Sequence, residues 1–166
     1  MTWETYNEEK HKEIDLWNCM NKSIDKFAMF KEPLSVTAEW YQKNKMGKIC
    51  DQIKVITNNN IIVGFVILNI SIINEELCIG INPIVTNPKY SGWGQKILKD
   101  LIVNYKKYLN IDVNNKVVFT AGIDEDNEIS KHLFYKVGFK QTGMHEDKTF
   151  GYYSLYIEDM NNELER

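Results

Sequence analysis

Apolar residues follow a clear helical period in the second half of the chain. From Trp93 onward they recur every three or four positions, with lysines in the positions between. The apolar set is Trp93, Ile97, Leu98, Leu101, Ile102, Tyr105 and Leu109. This pattern predicts an amphipathic helix whose apolar side packs on a sheet.

Several shorter apolar runs, rich in β-branched residues, predict strands. They read IKVIT, IIVGFVIL, LCIGINPIVT and VVFTAG, and two closing strands are predicted near 139–145 and 150–158. Three asparagines, Asn58 to Asn60, separate the first two runs and predict a hairpin. Pro83 stands inside the third run and has no N–H to donate, so we expect a β-bulge or an edge at that point.

Three more helices are predicted from the same periodicity: residues 8–30, Ser35 to Lys45, and Glu128 to Lys136, the last followed by Gly138 as a stop. Hairpins followed by alternating helices and strands predict an α/β fold with a mixed sheet and helices on its faces. Without a repeat or a linker-like segment, we expect a single domain over residues 1–166.

Composition narrows the classes of partner. The chain carries 20 Lys and Arg against 23 Asp and Glu, a formal net charge of −3, which argues against general nucleic-acid binding. Cys19, Cys50 and Cys78 form no CxxC pair and the three histidines lack metal-ligand spacing, so we expect no metal site. Apolar runs are too short for a membrane span, and the charged N-terminus differs from a signal peptide, so we expect a cytoplasmic protein with no membrane partner.

The stretch NPKYSGWGQKIL places Gly92 and Gly94 directly before the amphipathic helix. Such a turn aims free backbone N–H groups and the positive helix end at one point, where an anion can bind. It is also an ordinary way to start a helix. The spacing matches neither GxGxxG nor a Walker loop.

Two segments in this order, NPKYSGWGQKILKDL and NEISKHLFYKVGF, resemble the signature segments of the GNAT superfamily of acetyl-CoA-dependent N-acetyltransferases. Pro88 and Gly94 match the first, and the second matches at Asn127, Ser130, Leu133, Lys136, Gly138 and Phe139. The chain differs from the family pattern at Ser91, Lys96 and Phe134, where Arg or Gln, Gly or Ala, and Tyr are usual. The resemblance implies a GNAT-like mixed, mostly antiparallel twisted sheet flanked by helices on both faces.

The resemblance also implies acetyl-CoA as co-substrate. Its pyrophosphate would bind the backbone of the glycine turn, and its pantetheine arm would bind the strand after Pro83. The residues expected at the cofactor are Ile84, Val85, Thr86, Ser91, Gly92, Trp93, Gly94, Gln95, Lys96, Asn127, Lys131, Phe134 and Lys136.

Two residues are catalytic candidates. Glu76 begins the strand that contains Pro83 and would take a proton from the amine, although a solvated hairpin charge is an alternative interpretation. Tyr135 is next to Phe134, which replaces the family's proton-donating tyrosine, but it lies about 100° further round the helix and is equally interpretable as a packing residue. His145 would lie near the acceptor if the family arrangement holds.

The resemblance therefore implies an enzyme that moves an acetyl group from acetyl-CoA to a primary amine by direct attack. The alternatives are an acyl-CoA-binding module with little or no turnover and a purely structural domain. The acceptor would be a small-molecule amine or a protein N-terminus, and a homodimer is compatible with these expectations.

Overall fold

Seven strands form one mixed sheet in the computed structural model, which describes residues 1–19, 34–43, 52–111 and 116–157. The sheet order is β1-β2-β3-β4-β5-β7-β6, and only the β4–β5 pair is parallel. The strands are β1 (Thr2–Thr5), β2 (Gln52–Asn58), β3 (Ile61–Ile73), β4 (Glu76–Thr86), β5 (Lys116–Asp124), β6 (Lys140–Met144) and β7 (Phe150–Tyr156). The predicted mixed, mostly antiparallel sheet is confirmed.

Four α-helices and one 3-10 helix accompany the sheet in the described ranges. They are α1 (Glu8–His11), the 3-10 helix (Lys12–Cys19), α2 (Leu34–Lys43), α3 (Trp93–Leu109) and α4 (Glu128–Lys136). No helix among these residues is long and apolar enough to cross a membrane. The same residues contain no group of His, Cys, Asp and Glu that could hold a metal ion.

The two faces of the sheet carry separate apolar cores, because side chains alternate along each strand. One core joins α3 and α4 to β4 and β5 and includes Ile79, Phe119 and Phe134. The other joins the 3-10 helix and α2 to β2 and β3 and includes Trp17, Leu34 and Phe65. Helices therefore flank both faces, as predicted.

Local signals account well for the hairpin and for α3. Asn59 and Asn60 both have positive φ, 49° and 63°, as a tight two-residue hairpin turn requires. The predicted helix from Trp93 to Leu109 is confirmed, and its six buried residues all belong to the predicted apolar set. It sits close to the sheet at Gly64, where an added Cβ would lie 2.7 Å from Ile97 Cδ1.

The N-terminal segment is helical over the described part of its prediction, residues 8–19, but it is divided into two helices of different type. Instead of one α-helix from residue 8, α1 ends at His11 and a 3-10 helix continues to Cys19, whereas residues 20–30 lie outside the described ranges. Strand β1, which pairs with β2, was not predicted from its four residues. Its place is fixed by distant contacts, such as the 2.7 Å hydrogen bond from Trp3 Nε1 to Asp100 Oδ2 on α3.

Predictions for the remaining elements hold within a few residues. Helix α2 spans Leu34–Lys43, and residues 44 and 45 of the prediction fall outside the described ranges. Helix α4 has the predicted bounds, and Gly138 follows its C-cap with a φ of 102°, as expected of a glycine stop. The closing strands are shorter than predicted.

Candidate functional site

Strands β4 and β5 separate part-way along their length. Their parallel pairing runs from Glu76 and Lys116 to Ile81 and Ala121 and ends there, although both strands continue. On its other side β4 remains paired with β3 as far as Thr86. Beyond Ile81, the β4 backbone groups that face β5 therefore line an opening rather than a ladder.

The separation coincides with a bulge at Pro83. The β3–β4 register shifts between Val66 and Leu68, so that Asn82 and Pro83 together oppose Ile67. Proline cannot donate a ladder hydrogen bond, which explains why the irregularity falls here. The predicted bulge is confirmed.

A cleft of about 530 Å³ fills the opening between β4, β5, the start of α3 and one side of α4. Nine of the residues predicted at the cofactor line it: Ile84, Val85, Thr86, Gly92, Gly94, Gln95, Asn127, Phe134 and Lys136. Two segments that are distant in sequence thus contribute to one cavity. The charged or titratable side chains among the described lining residues are Asp124, His132 and Lys136.

The glycine turn opens α3 without a side-chain cap. Gly92 is the N-cap residue, in the left-handed region with φ 79° and ψ 6°, and within the described part of the chain this helix end has no side-chain cap hydrogen bond. A Cβ added at Gly92 would meet no atom within 4 Å, so the glycine is required by the backbone conformation rather than by crowding. The first N–H groups of α3 are consequently available to an anion in the cleft.

Asn87 fixes this turn to the sheet. Its side chain is buried, its Nδ2 donates to Ile62 O at 2.8 Å, and its Oδ1 accepts from Lys89 N at 3.0 Å. Its own N–H donates to Val63 O at 3.0 Å. The loop before Gly92 is therefore held in one position relative to β3.

At Gly94 the helix start approaches α4 closely. An added Cβ would lie 3.2 Å from Leu133 Cδ2 and 3.8 Å from Thr86 Cγ2. A larger side chain here must displace Leu133 or project into the cleft. Gly94 therefore keeps the space between α3, α4 and β4 open.

Four predicted cofactor residues do not line the cleft. Ser91 is exposed, and Trp93 packs on the apolar core with Lys96 Nζ 4.6 Å from its ring centroid. Lys131 Nζ lies 2.7 Å from Glu128 Oε1 and 3.5 Å from Glu125 Oε2, and the hydrogen bond to Glu128 raises the pKa of Lys131. The side chains of these four residues are therefore directed to other contacts or to solvent and not to the cleft.

Glu76, the residue expected as a catalytic base, lies at the opposite end of β4 from the cleft. Glu76 pairs with Lys116 at the start of β4, five residues before Ile81. At a rise of about 3.3 Å per residue, this places Glu76 about 16 Å from the point where the strands separate. Its carboxylate is too distant to contact a group in the cleft.

Tyr135 also lies outside the cleft. Its side chain is 49% exposed, and its ring meets that of Tyr153 edge to face at 5.5 Å. Burial, with a hydrogen bond to Tyr135, raises the pKa of Tyr153 to about 12. Phe134 does line the cleft but is buried against Phe139, with ring centroids 4.9 Å apart, so neither residue supplies a hydroxyl there.

Sequence reasoning missed several lining residues, above all Asn82, Gly122 and Asp124. The sequence could have indicated Asn82, because the adjacent Pro83 predicts the bulge that contains both residues. Asp124 belongs to the acidic run Asp124-Glu125-Asp126, which is typical of a solvated loop. The sequence of either strand alone does not show at which end β4 and β5 separate. No cysteine is among the described lining residues, and burial raises the pKa of the Cys78 thiol.

Comparisons with known proteins agree with this architecture. No protein-family profile and no curated protein sequence matches the chain. Among solved structures, PseH, an N-acetyltransferase from Campylobacter jejuni, is similar with a TM-score of 0.61 and 18% identity, over 94% of this chain and 97% of that one. Spermidine N-acetyltransferase from Vibrio cholerae, solved with CoA and spermine, is similar with a TM-score of 0.65 and 18% identity, over 94% of each chain.

A second PseH structure, with acetyl coenzyme A, gives a TM-score of 0.59 and 19% identity over 94% of this chain and 99% of that one. These likenesses extend over nearly the whole chain at low sequence identity, so they bear on the fold. Together with the strand order and the separation of β4 from β5, they show that the chain has the fold of the GNAT N-acetyltransferases.

Proposed function

We propose that the protein is an acetyl-CoA-dependent N-acetyltransferase that acetylates a primary amine by direct attack. The observation that carries the proposal is the cleft between β4 and β5, which reaches the uncapped start of α3. Two structures with this fold were solved with CoA or acetyl-CoA, which supports the same co-substrate here.

The residues of the cleft fit this co-substrate. The free N–H groups at the start of α3 would hold the diphosphate, with Lys136 adding positive charge. The part of β4 after Ile81, which β5 leaves unpaired, would hydrogen-bond the amides of the pantetheine arm. The chain has a single arginine, Arg166, so a backbone cradle is the natural means of binding phosphate.

Acetyl-CoA would supply an acetyl thioester: the amine nitrogen forms a bond to the carbonyl carbon, the carbon–sulfur bond breaks, and the thiolate leaves with a proton released by the amine. A thiol of pKa about 8.5 leaves readily, so the phenylalanine at position 134 slows such a reaction without forbidding it. The protein would contribute by holding the two reactants together and excluding water.

A binding module without efficient turnover is the second candidate function. The observation that favours it is the burial of Phe134, which leaves the cleft without the family's proton-donating hydroxyl. Both candidates require cofactor binding, and only the first requires release of the thiol. The acceptor class, a small amine or a protein N-terminus, remains a prediction. The homodimer also remains a prediction.

Calorimetry with acetyl-CoA tests the shared requirement. We expect binding by the unmodified protein and at least about tenfold weaker binding by Gly94→Trp, since the indole must occupy the space beside the helix start. Val103→Trp is the matched control, because it adds the same side chain at a position of α3 that is 71% exposed. Equal affinities for the two variants would contradict the placement of the cofactor in this cleft.

A further inference from the structure

Three aromatic rings lie together on the face of the sheet opposite α3 and α4. On β5, Ala121 and Ile123 are buried in the core under α3, so Gly122 and Asp124 belong to the other face. Phe150 pairs with Asp124 and Tyr152 pairs with Gly122 across β7. We call His145, Phe150 and Tyr152 the aromatic ledge.

The rings of the ledge contact one another. His145 stacks on Phe150 with ring centroids 4.6 Å apart, and Phe150 meets Tyr152 edge to face at 5.2 Å. Glycines on the neighbouring strands make room for the rings along the sheet. A Cβ at Gly122 would lie 3.5 Å from Phe150 Cδ2, and one at Gly143 would lie 3.5 Å from Tyr152 Cδ2.

The turn between β6 and β7 holds the ledge in position. His145 Nδ1 lies 2.7 Å from Asp147 Oδ1, which also accepts hydrogen bonds from Thr149 Oγ1 at 2.6 Å and Thr149 N at 3.0 Å. These contacts, those from Thr149 foremost, lower the pKa of Asp147 to about 2. The backbone adds a 2.9 Å bond from His145 N to Phe150 O.

The ledge is continuous with the cleft. Gly122, against which Phe150 rests, lines the cleft, and so does Asp124, which pairs with Phe150 across the strands. Asp124 is exposed and is the carboxylate among the described lining residues. Among the ledge rings Tyr152 is 44% exposed, whereas His145 and Phe150 are half-buried. A carboxylate beside an exposed aromatic ring attracts an organic cation by charge and by the ring quadrupole together.

We propose that the aromatic ledge and Asp124 form the acceptor subsite, and that the acceptor is a primary amine attached by a short chain to a flat apolar ring. The ring stacks on the exposed Tyr152 and meets Phe150 edge to face, and the ammonium group pairs with Asp124 where the ledge meets the cleft. A long polyamine, whose charges are spread along an aliphatic chain, would leave the aromatic rings of the ledge without a partner, and an anionic acceptor would be repelled by Asp124. This inference rests on the proposed acetyltransferase function.

Two probes that differ only in the ring test the ledge: 2-phenylethylamine and ethylamine, each assayed with acetyl-CoA for kcat/KM. We expect 2-phenylethylamine to be favoured at least about tenfold. Tyr152→Ala should bring the ratio close to one, and Tyr152→Leu, which keeps apolar surface without a ring, should give an intermediate ratio. Tyr156→Ala is the matched control, because Tyr156 lies on the same face of β7 and is also 44% exposed.

Asp124→Asn tests the carboxylate. We expect it to raise the KM of both amines about tenfold while the affinity for acetyl-CoA is unchanged. Asp126→Asn removes one charge nearby, at a residue outside the cleft lining, and should leave the KM of both amines unaltered. If the two variants behave alike, the specific role of Asp124 is contradicted.

The outcomes separate this inference from the proposed function. If both amines are acetylated equally well, or if spermidine is preferred to 2-phenylethylamine, the ledge proposal is overturned and the acetyltransferase function stands. If acetyl-CoA binds but no amine is acetylated, both proposals are overturned.

Discussion

At the scale of single residues, the site depends on two glycines and on a phenylalanine that has no hydroxyl group. Gly92 supplies a left-handed conformation, Gly94 allows α3 to approach α4 closely, and the hydroxyl-free Phe134 closes one wall of the cleft. The importance of the two glycines could be predicted only from the glycine turn together with the second motif, because a Gly-x-Gly turn is also an ordinary way to start a helix. The separation of Glu76 from the cleft could not, because it depends on where β4 and β5 stop pairing.

Gly92 provides a prediction about stability. Gly92→Ala should lower the free energy of unfolding by about 1 kcal/mol, because alanine is disfavoured at positive φ while no neighbour crowds the new methyl group. Gly92→Asn should cost less, since asparagine tolerates the left-handed region. Urea unfolding of the three proteins provides the measurement, and an alanine variant as stable as the unmodified protein would contradict the assigned backbone conformation.

At the scale of elements, local pattern predicted those pieces whose own sequence decides their structure. Helix α3 has an uninterrupted apolar stripe, and the β2–β3 hairpin has a turn of asparagines suited to positive φ. Strand β1 and the 3-10 helix could not be predicted, because they depend on partners far along the chain, such as Asp100 for Trp3.

The segment of β1 and α1 contains a buried histidine, His11, whose pKa is lowered in the folded protein. His11 is 1% exposed, its Nδ1 accepts from Asn7 N at 2.9 Å, and Nε2 lies 3.7 Å from Glu4 Oε2. Burial lowers the pKa of His11 below its ordinary 6.5, with Glu4 acting in the opposite sense. The folded state therefore favours neutral His11.

The sign of the pH dependence follows from this lowered pKa. Above pH about 6.5, His11 is neutral in both the folded and unfolded states. As pH falls below that value, the unfolded state binds the proton first and stability is lost. We expect the midpoint of urea unfolding to fall between pH 7 and 5, and His11→Gln to reduce this dependence.

The control is His132→Gln, which removes an exposed histidine from α4 and should leave the dependence intact. A profile that is equally steep in His11→Gln and in the unmodified protein would contradict the role given to His11.

At the scale of the whole molecule, one parallel pair in an otherwise antiparallel sheet creates the site. The pairing of β4 with β5 ends at Ile81 and Ala121, and the cleft that opens there reaches α3 on one face and the aromatic ledge on the other. In the proposed reaction, cofactor and acceptor would approach from opposite faces of the sheet and meet between its strands. The order of the two sequence motifs predicted this fold, but the aromatic ledge carries no motif, because it depends on the packing of β5, β6 and β7.

The measurement that tests the central claim most directly is amine-dependent release of thiol from acetyl-CoA, with the acetylated amine identified by mass spectrometry. We expect release above the hydrolysis background with at least one primary amine, near-complete loss in Gly94→Trp, and full activity in Val103→Trp. Thiol release that stays at background across ring-bearing amines, polyamines, amino sugars and N-terminal peptides, in a protein that binds acetyl-CoA, would contradict the account and leave a binding module.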